Sequence, residues 1–280
     1  MGNINTVIQL EELRTARLRL VEPLGFVPTM GCLHEGHLSL VQRAKQECAS
    51  VAVSIFVNPT QFGPHEDFTS YPRNLQNDLN LLAPLAPDLV WAPTPEIMYP
   101  PGHQTWIEVE GLTQPLEGAV RPGHFRGVTT IVAKLFNAVQ PQRAYFGQKD
   151  AQQAAVIRRM TADLDLPIKI VVCPTVREAD GLAMSSRNTY LNAREREAAT
   201  VLFRALSRAR EAWESGERSA DELRRIINGT LITEPLAKMQ YVSCADPDTL
   251  EELEQVAEKA LLSMAVHVGK TRLIDNVVLG

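Results

Sequence analysis

From residue 7 to about Cys173, short runs of β-branched and aromatic residues alternate with stretches of helical length. That order constrains the fold more than any other feature of the chain. The spacing predicts a helix over 7–20, then a short buried strand, Gly25-Phe26-Val27-Pro28, stopped by Pro28. A helix over 36–48 and a strand over 51–57 follow, then a helix over 74–82 and a strand over 88–91. The series closes with a helix over 127–139, a strand over 144–146, a helix over 151–162 and a strand over 168–173. Such alternation implies an α/β domain, a doubly wound, Rossmann-like parallel sheet with helices on both faces. Sheets of this kind bind ligands beyond the carboxyl ends of their strands. After Val176 the pattern changes to helices over 194–215 and 220–230 and strands over 238–244, 260–268 and 271–278. The expected division is therefore residues 1–176, a Rossmann-like domain, and residues 177–280, a smaller α+β domain.

Composition excludes some partners. The net charge of −5 argues against nucleic acid or an anionic membrane as the main partner. No apolar run approaches the roughly 20 residues of a membrane span. Cys32, Cys48, Cys173 and Cys244 are scattered, with no CxxC element, and are expected to be reduced thiols in a cytoplasm. Met1-Gly2-Asn3-Ile4-Asn5-Thr6 fits the myristoylation consensus, but no polybasic patch supports it and one acyl chain anchors only marginally.

The chemistry-bearing residues should follow strands, and four clusters do. The first is Pro28-Thr29-Met30-Gly31-Cys32-Leu33-His34-Glu35-Gly36-His37, between a strand and the next helix. Gly31 and Gly36 allow a tight turn, and a helix start presents N–H groups that suit phosphate. His34 and His37 can donate to phosphate oxygens. Cys32, His34 and His37 would also serve as three ligands of a metal ion, or the histidines as plain turn residues. In the second cluster, Asn58-Pro59-Thr60-Gln61, the turn leaves Gln61 free to point into the crevice, where a neutral amide can hold a polar substrate. The third, Gly147-Gln148-Lys149-Asp150-Ala151-Gln152-Gln153, starts a helix that Asp150 can cap; Lys149 offers a point charge, and Gln153 lies one turn on, on the side of Asp150. The fourth runs from Val176 to Asn188 around an Asp180-Gly181 turn. Its Met184-Ser185-Ser186-Arg187 offers two hydroxyls and a guanidinium to phosphates, or is an ordinary polar linker.

The first cluster resembles the HxGH signature of the nucleotidylyltransferase superfamily, and Met184-Ser185-Ser186-Arg187 resembles the mobile KMSKS loop of class I aminoacyl-tRNA synthetases. Together with Tyr71-Pro72-Arg73, Arg121-Pro122-Gly123-His124-Phe125 and Thr271-Arg272-Leu273-Ile274-Asp275-Asn276, the four clusters resemble the pantothenate synthetase (pantoate–β-alanine ligase) family over nearly the whole chain. Cys32 and His65 depart from that family's commonest residues, Gln148 stands where Glu is also common, and Cys32 near phosphates would make the site thiol-sensitive.

The resemblance implies condensation of pantoate with β-alanine through a pantoyl-adenylate, with ATP as co-substrate. It places ATP along Met30, Gly31, Cys32, Leu33, His34, Glu35, Gly36 and His37, along Gly147, Gln148, Lys149 and Asp150, on the Val176 backbone, and along Met184, Ser185, Ser186 and Arg187. It gives catalytic roles to His37, His34, Lys149 and Arg187. It puts pantoate on Gln61 and Gln153, and β-alanine near Gln61. Mg²⁺ should ride mainly on the phosphates, with no dedicated metal site and Asp78 as a weak candidate contact. A homodimer is expected from the resemblance alone. The rival readings are an adenylyltransferase that moves AMP onto a phosphate ester, an aminoacyl-tRNA synthetase, a nucleotide-binding regulator without chemistry, and a metallohydrolase.

Overall fold

The computed structural model describes residues 4–64 and 66–280. Met1-Gly2-Asn3 of the myristoylation pattern and the position of His65 lie outside them. The chain divides into two compact units, one of residues 1–147 and 156–173, the other of residues 148–155 and 174–280.

The first unit is built on a six-stranded, wholly parallel sheet. In chain order its elements are β1 (Thr6–Val7), α1 (Leu10–Arg17), β2 (Leu24–Thr29), α2 (Glu35–Glu47), β3 (Ser50–Ile55), α3 (Leu75–Leu82) and β4 (Leu89–Trp91). Two single-turn helices, α4 (Pro95–Met98) and α5 (Glu117–Val120), precede α6 (His124–Val139), β5 (Arg143–Gly147), α7 (Ala151–Asp163) and β6 (Lys169–Cys173). The first residues of α7, up to Ala155, belong to the other unit. Side chains alternate between the faces of a strand, and here the alternation sorts two cores. Phe26, Ala52, Leu89, Trp91, Ala144 and Phe146 pack with α1, α6 and the later turns of α7. Their neighbours Val27, Val51, Val53, Val90 and Tyr145 pack with α2 and with Leu82 of α3. Both faces are thus covered, which is why these strands read as continuous apolar runs.

The strand order is β1-β4-β3-β2-β5-β6. The chain steps outward from β2 through β3 to β4, then returns to the other side of β2, so the order reverses between β2 and β5. Pairing of these two strands covers Gly25 and Phe26. The expected stop at Pro28 needs correction: β2 continues through Pro28 to Thr29. The Thr29 carbonyl accepts from Phe56 N–H on the β3 side. In a strand neighbouring residues face opposite ways, so Pro28 faces β5 beyond the paired stretch, where its missing N–H breaks no ladder bond.

Other corrections are local. The helix expected over 7–20 is shorter, because residues 6–7 form the edge strand β1 against β4. Two residues are too few to show a period.

The second unit has α8 (Ala193–Ala198), α9 (Val201–Glu214) and α10 (Ala220–Leu231), followed by the antiparallel strands β7 (Ala237–Ala245), β8 (Ala260–Val268) and β9 (Thr271–Leu279). Leu202, Leu206, Leu223 and Ile227 of the helices share a core with Leu262, Met264 and Val266 of β8. The single helix expected over 194–215 is two. Thr200 N–H reaches only to the Glu197 carbonyl, and the Thr200 hydroxyl donates to the same oxygen, which tightens the turn between α8 and α9.

Candidate active site

The loop between β2 and α2 is shaped by a carboxylate. Asp78, 1% exposed on α3, accepts from Cys32 N–H at 3.1 Å and from Leu33 N–H at 2.8 Å. Burial pushes its pKa up, and the two N–H groups oppose that rise. Gly31 sits at φ +78°, and a Cβ there would lie 2.8 Å from Asp78 Oδ2, so both backbone and space demand glycine. Cys32 follows, half-buried, at φ 49°. Asp78 is therefore the brace of this loop.

At the start of α2 the two histidines cap the helix. His34 Nδ1 accepts from Gly36 N–H at 3.2 Å, and His37 Nδ1 accepts from His34 N–H at 3.4 Å. An imidazole nitrogen that accepts carries no proton, so each neutral ring holds its proton on Nε2. The rings lie 4.1 Å apart between centroids. The arrangement offers ring N–H donors beside a helix N-terminus, a setting for an anion. Among the described residues no group of three or more His, Cys, Asp or Glu side chains is placed to hold a metal ion.

Gln61 closes the turn after β3. Its side chain is held, not loose: Nε2 lies 2.9 Å from Met30 Sδ, and Oε1 accepts from Asn58 Nδ2 at 3.1 Å. Asn58, 1% exposed, also donates to the Gly127 carbonyl and accepts from Tyr99 OH at 2.8 Å. A Cβ on Gly127 would lie 2.4 Å from the Thr60 carbonyl oxygen, so glycine lets α6 press directly on this turn. Behind Gln61 stands His124, whose Nδ1 is 2.8 Å from the Gln61 carbonyl oxygen.

In the second unit the segment 148–149 is gripped by β9. Asn276 Nδ2 donates to the carbonyls of Gln148 at 3.0 Å and Lys149 at 2.8 Å, and Gln148 Nε2 donates to Asn276 Oδ1 at 3.1 Å. The Lys149 ammonium lies 3.7 Å from Asp150. The neighbouring Asp275, 1% exposed at its side chain, takes a two-pronged contact from Arg177 at 2.7 and 2.9 Å.

Residues 176–184 fold back on themselves. Met184 N–H donates to the Val176 carbonyl at 3.0 Å, with Arg177 bridged to Ala183 and Gly181, at φ +91°, in the turn. This brings Val176 beside Met184. Ser185 then caps the short helix Ser186–Tyr190 by accepting from Arg187 N–H, which leaves Ser186 buried. Arg196 of α8 clasps Glu178 and Asp180 and holds the Asp180 carboxyl below the usual range.

The family model for pantoate–beta-alanine ligase matches residues 3–278. The chain belongs to the pantoate–beta-alanine ligase family. It is 60% identical to a pantothenate synthetase of Roseiflexus sp. over 276 residues, 99% of each chain, and 57% identical to one of Herpetosiphon aurantiacus over 277 residues. A crystal structure of pantothenate synthetase from Thermus thermophilus, 49% identical, superposes with a TM-score of 0.94 over 98% of both chains. A pantoate–beta-alanine ligase from Francisella tularensis, solved with a β,γ-ATP ligand and β-alanine, is 37% identical with a TM-score of 0.82, over 98% of this chain and 97% of that one. The expected family and fold class are thus both met.

Within this ligase fold the sequence clusters fall where strands and turns were expected to put them. In the first unit His34 meets His37 and Met30 meets Gln61, and Lys149, Val176, Met184, Ser186 and Arg187 belong to the second. Gln153 is half-buried on α7. What sequence reasoning missed are the braces. Asp78 stood there only as a metal contact, His124 and Asn276 only as parts of a motif, and Glu66 not at all. The motif membership of His124 and Asn276 was the one signal that could have found them.

Proposed function

We infer that the protein joins pantoate to β-alanine at the expense of ATP. The carrying observation is the pair of capping histidines, whose Nδ1 acceptors leave the ring protons on Nε2 at the start of α2. In the proposed reaction a pantoate carboxylate oxygen attacks the α-phosphorus and pyrophosphate leaves. The amine of β-alanine then attacks the acyl carbon, loses a proton, and AMP leaves. The protein's part is alignment and charge neutralisation.

In this reading residues 30–37, residues 147–150, the Val176 backbone and residues 184–187 bind ATP. His37, supported by His34, donates where charge develops on phosphate. Lys149, Ser185, Ser186 and Arg187 stabilise the leaving pyrophosphate. Gln61 and Gln153 hold pantoate, and Gln61 also meets β-alanine. The complexed Francisella tularensis ligase supports ATP and β-alanine as ligands of this fold. Mg²⁺ is proposed to arrive on the ATP phosphates and neutralise their charge. Asp78 is turned to backbone N–H groups, which fits a carrier role for ATP rather than for the chain. We propose that residues 1–176 carry ATP and pantoate, and that residues 177–280 act as a lid that keeps water from the adenylate. A cytoplasmic homodimer is proposed from the family alone. Among the described residues no helix is long and apolar enough to cross a membrane.

The test is pyrophosphate release with and without pantoate, and AMP release with and without β-alanine. Release that requires both in turn is expected. Pyrophosphate release that ignores pantoate would sink the reading in favour of a different adenylyl transfer.

A further inference from the structure

The Arg121-Pro122-Gly123-His124-Phe125 motif has no part in the chemistry above, yet it ends against Gln61. Gly123, at φ +80°, starts α6 and leaves His124 in its first turn, 9% exposed. His124 Nδ1 lies 2.8 Å from the Gln61 carbonyl oxygen, and His124 Nε2 lies 3.1 Å from Arg121 Nη1. A guanidinium has no acceptor, so Arg121 must donate and Nε2 must be bare. A carbonyl oxygen has no proton to give, so Nδ1 must carry one. One neutral tautomer satisfies both neighbours, and the imidazolium satisfies neither Arg121 nor its charge. Burial, aided by the Arg121 charge, pushes the His124 pKa down to about 4, which keeps that tautomer in place near neutral pH.

The far end of the chain is equally fixed. Glu66 meets Arg121 through two oxygens, each 2.7 Å from a guanidinium nitrogen, and Glu117 lies 3.6 Å from the same guanidinium. Burial works against the Glu66 charge, but Arg121 and the Gly63 N–H are among the groups that together hold the carboxyl below its ordinary range. Gln61 is the other terminus, and its side chain is already set by Asn58 and Met30. With α6 pressed on the turn at Gly127, a shift of the Gln61 backbone has no slack to be absorbed.

We propose that His124 is a positioning residue for the acid-binding amide of Gln61, the middle of a hydrogen-bonded relay Glu66–Arg121–His124–Gln61 that selects one imidazole tautomer. The inference rests on the assignment of pantoate to Gln61. The relay sets where the Gln61 amide stands, so its loss acts on the acid and leaves the nucleotide loop braced by Asp78.

Two measurements test it. The first is ¹⁵N spectroscopy of the histidines in the intact protein at neutral pH, with His124→Asn used to assign the signal. A proton on Nδ1 is expected; a proton on Nε2 overturns the relay. The second is steady-state kinetics. Loss of one buried hydrogen bond corresponds to about a tenfold change. His124→Ala should therefore raise the KM for pantoate about tenfold, with the KM for ATP changed by less than about twofold. An asparagine amide reaches where Nδ1 stood, so His124→Asn should recover most of the loss, whereas His124→Gln should not. Equal losses for pantoate and ATP, or His124→Asn as impaired as His124→Ala, would refute the positioning role. Gln61→Ala separates the two layers. If it leaves the pantoate KM unchanged, the pantoate assignment fails and this inference with it. If it raises that KM while His124→Ala does not, the relay alone is wrong.

Discussion

Asn276 holds Lys149 by its main chain: the Asn276 side-chain amide donates to the Lys149 carbonyl oxygen at 2.8 Å. The same nitrogen donates to the Gln148 carbonyl, while Gln148 Nε2 donates back to Asn276 Oδ1. A C-terminal strand residue therefore fixes the turn from which Lys149 projects. Asn276→Ala leaves two carbonyls short of a donor, each worth about 1–3 kcal/mol when buried. Pantoate-dependent exchange of pyrophosphate into ATP should fall about ten- to a hundredfold. Asn276→Asp should be worse, since a carboxylate would face those oxygens with nothing to donate. Exchange at the normal rate in Asn276→Asp would show that the grip does not matter to Lys149.

Asp78 makes the corresponding test in the first unit. Both of its oxygens accept backbone N–H groups from the β2–α2 loop. Asp78→Asn is not conservative there, because its NH₂ would face an N–H. Hydrogen bonds to a charged acceptor contribute about 1.5–3 kcal/mol each. Asp78→Asn and Asp78→Ala should each lower unfolding stability by about 2–4 kcal/mol and weaken ATP binding. A denaturant midpoint and ATP affinity both equal to those of the parent chain would remove Asp78 from its role as brace.

Gly127→Ala tests the seat of Gln61. A Cβ there would lie 2.4 Å from Thr60 O and 2.7 Å from Gln61 N, far inside van der Waals contact. The helix or the turn must move, at a cost of about 1–3 kcal/mol or more. The expected result is a lower melting temperature together with a raised pantoate KM. A variant as stable and as active as its parent would mean the turn yields freely.

The fold class was legible because periodicity is local: the runs around 25–28, 51–57 and 144–146 each carry their own pattern of burial. The positions of the four candidate clusters were legible for a similar reason, since each is contiguous and follows a strand. The braces were not. Asp78 is 45 positions from Leu33, His124 is 63 from Gln61, and Asn276 is 128 from Gln148. No local rule links residues so far apart, and a carboxylate one turn into a helix looks like any other. The two-residue strand β1 and the tightened turn at Thr200 escaped because neither alters the hydrophobic period around it.

The relay also predicts how stability depends on pH. His124 titrates at about 4 when folded against an ordinary value of 6.5. Between those values the unfolded chain binds the proton and the folded chain does not, so stability rises with pH. The contribution is complete above the unfolded value and is lost as pH falls through the folded one. The size over that window is about 3 kcal/mol, from 1.36 kcal/mol per unit. The groups facing the imidazole are Arg121, which disfavours its protonation, and Glu66 and Glu117, which favour it. Other carboxylates titrate over the lower part of the window, so the informative quantity is the difference between the parent chain and His124→Asn, which cannot titrate there. Urea unfolding at several pH values between 7 and 4 should give a steeper loss of stability for the parent. Parallel curves for the two proteins would mean that His124 is not held neutral by burial and Arg121.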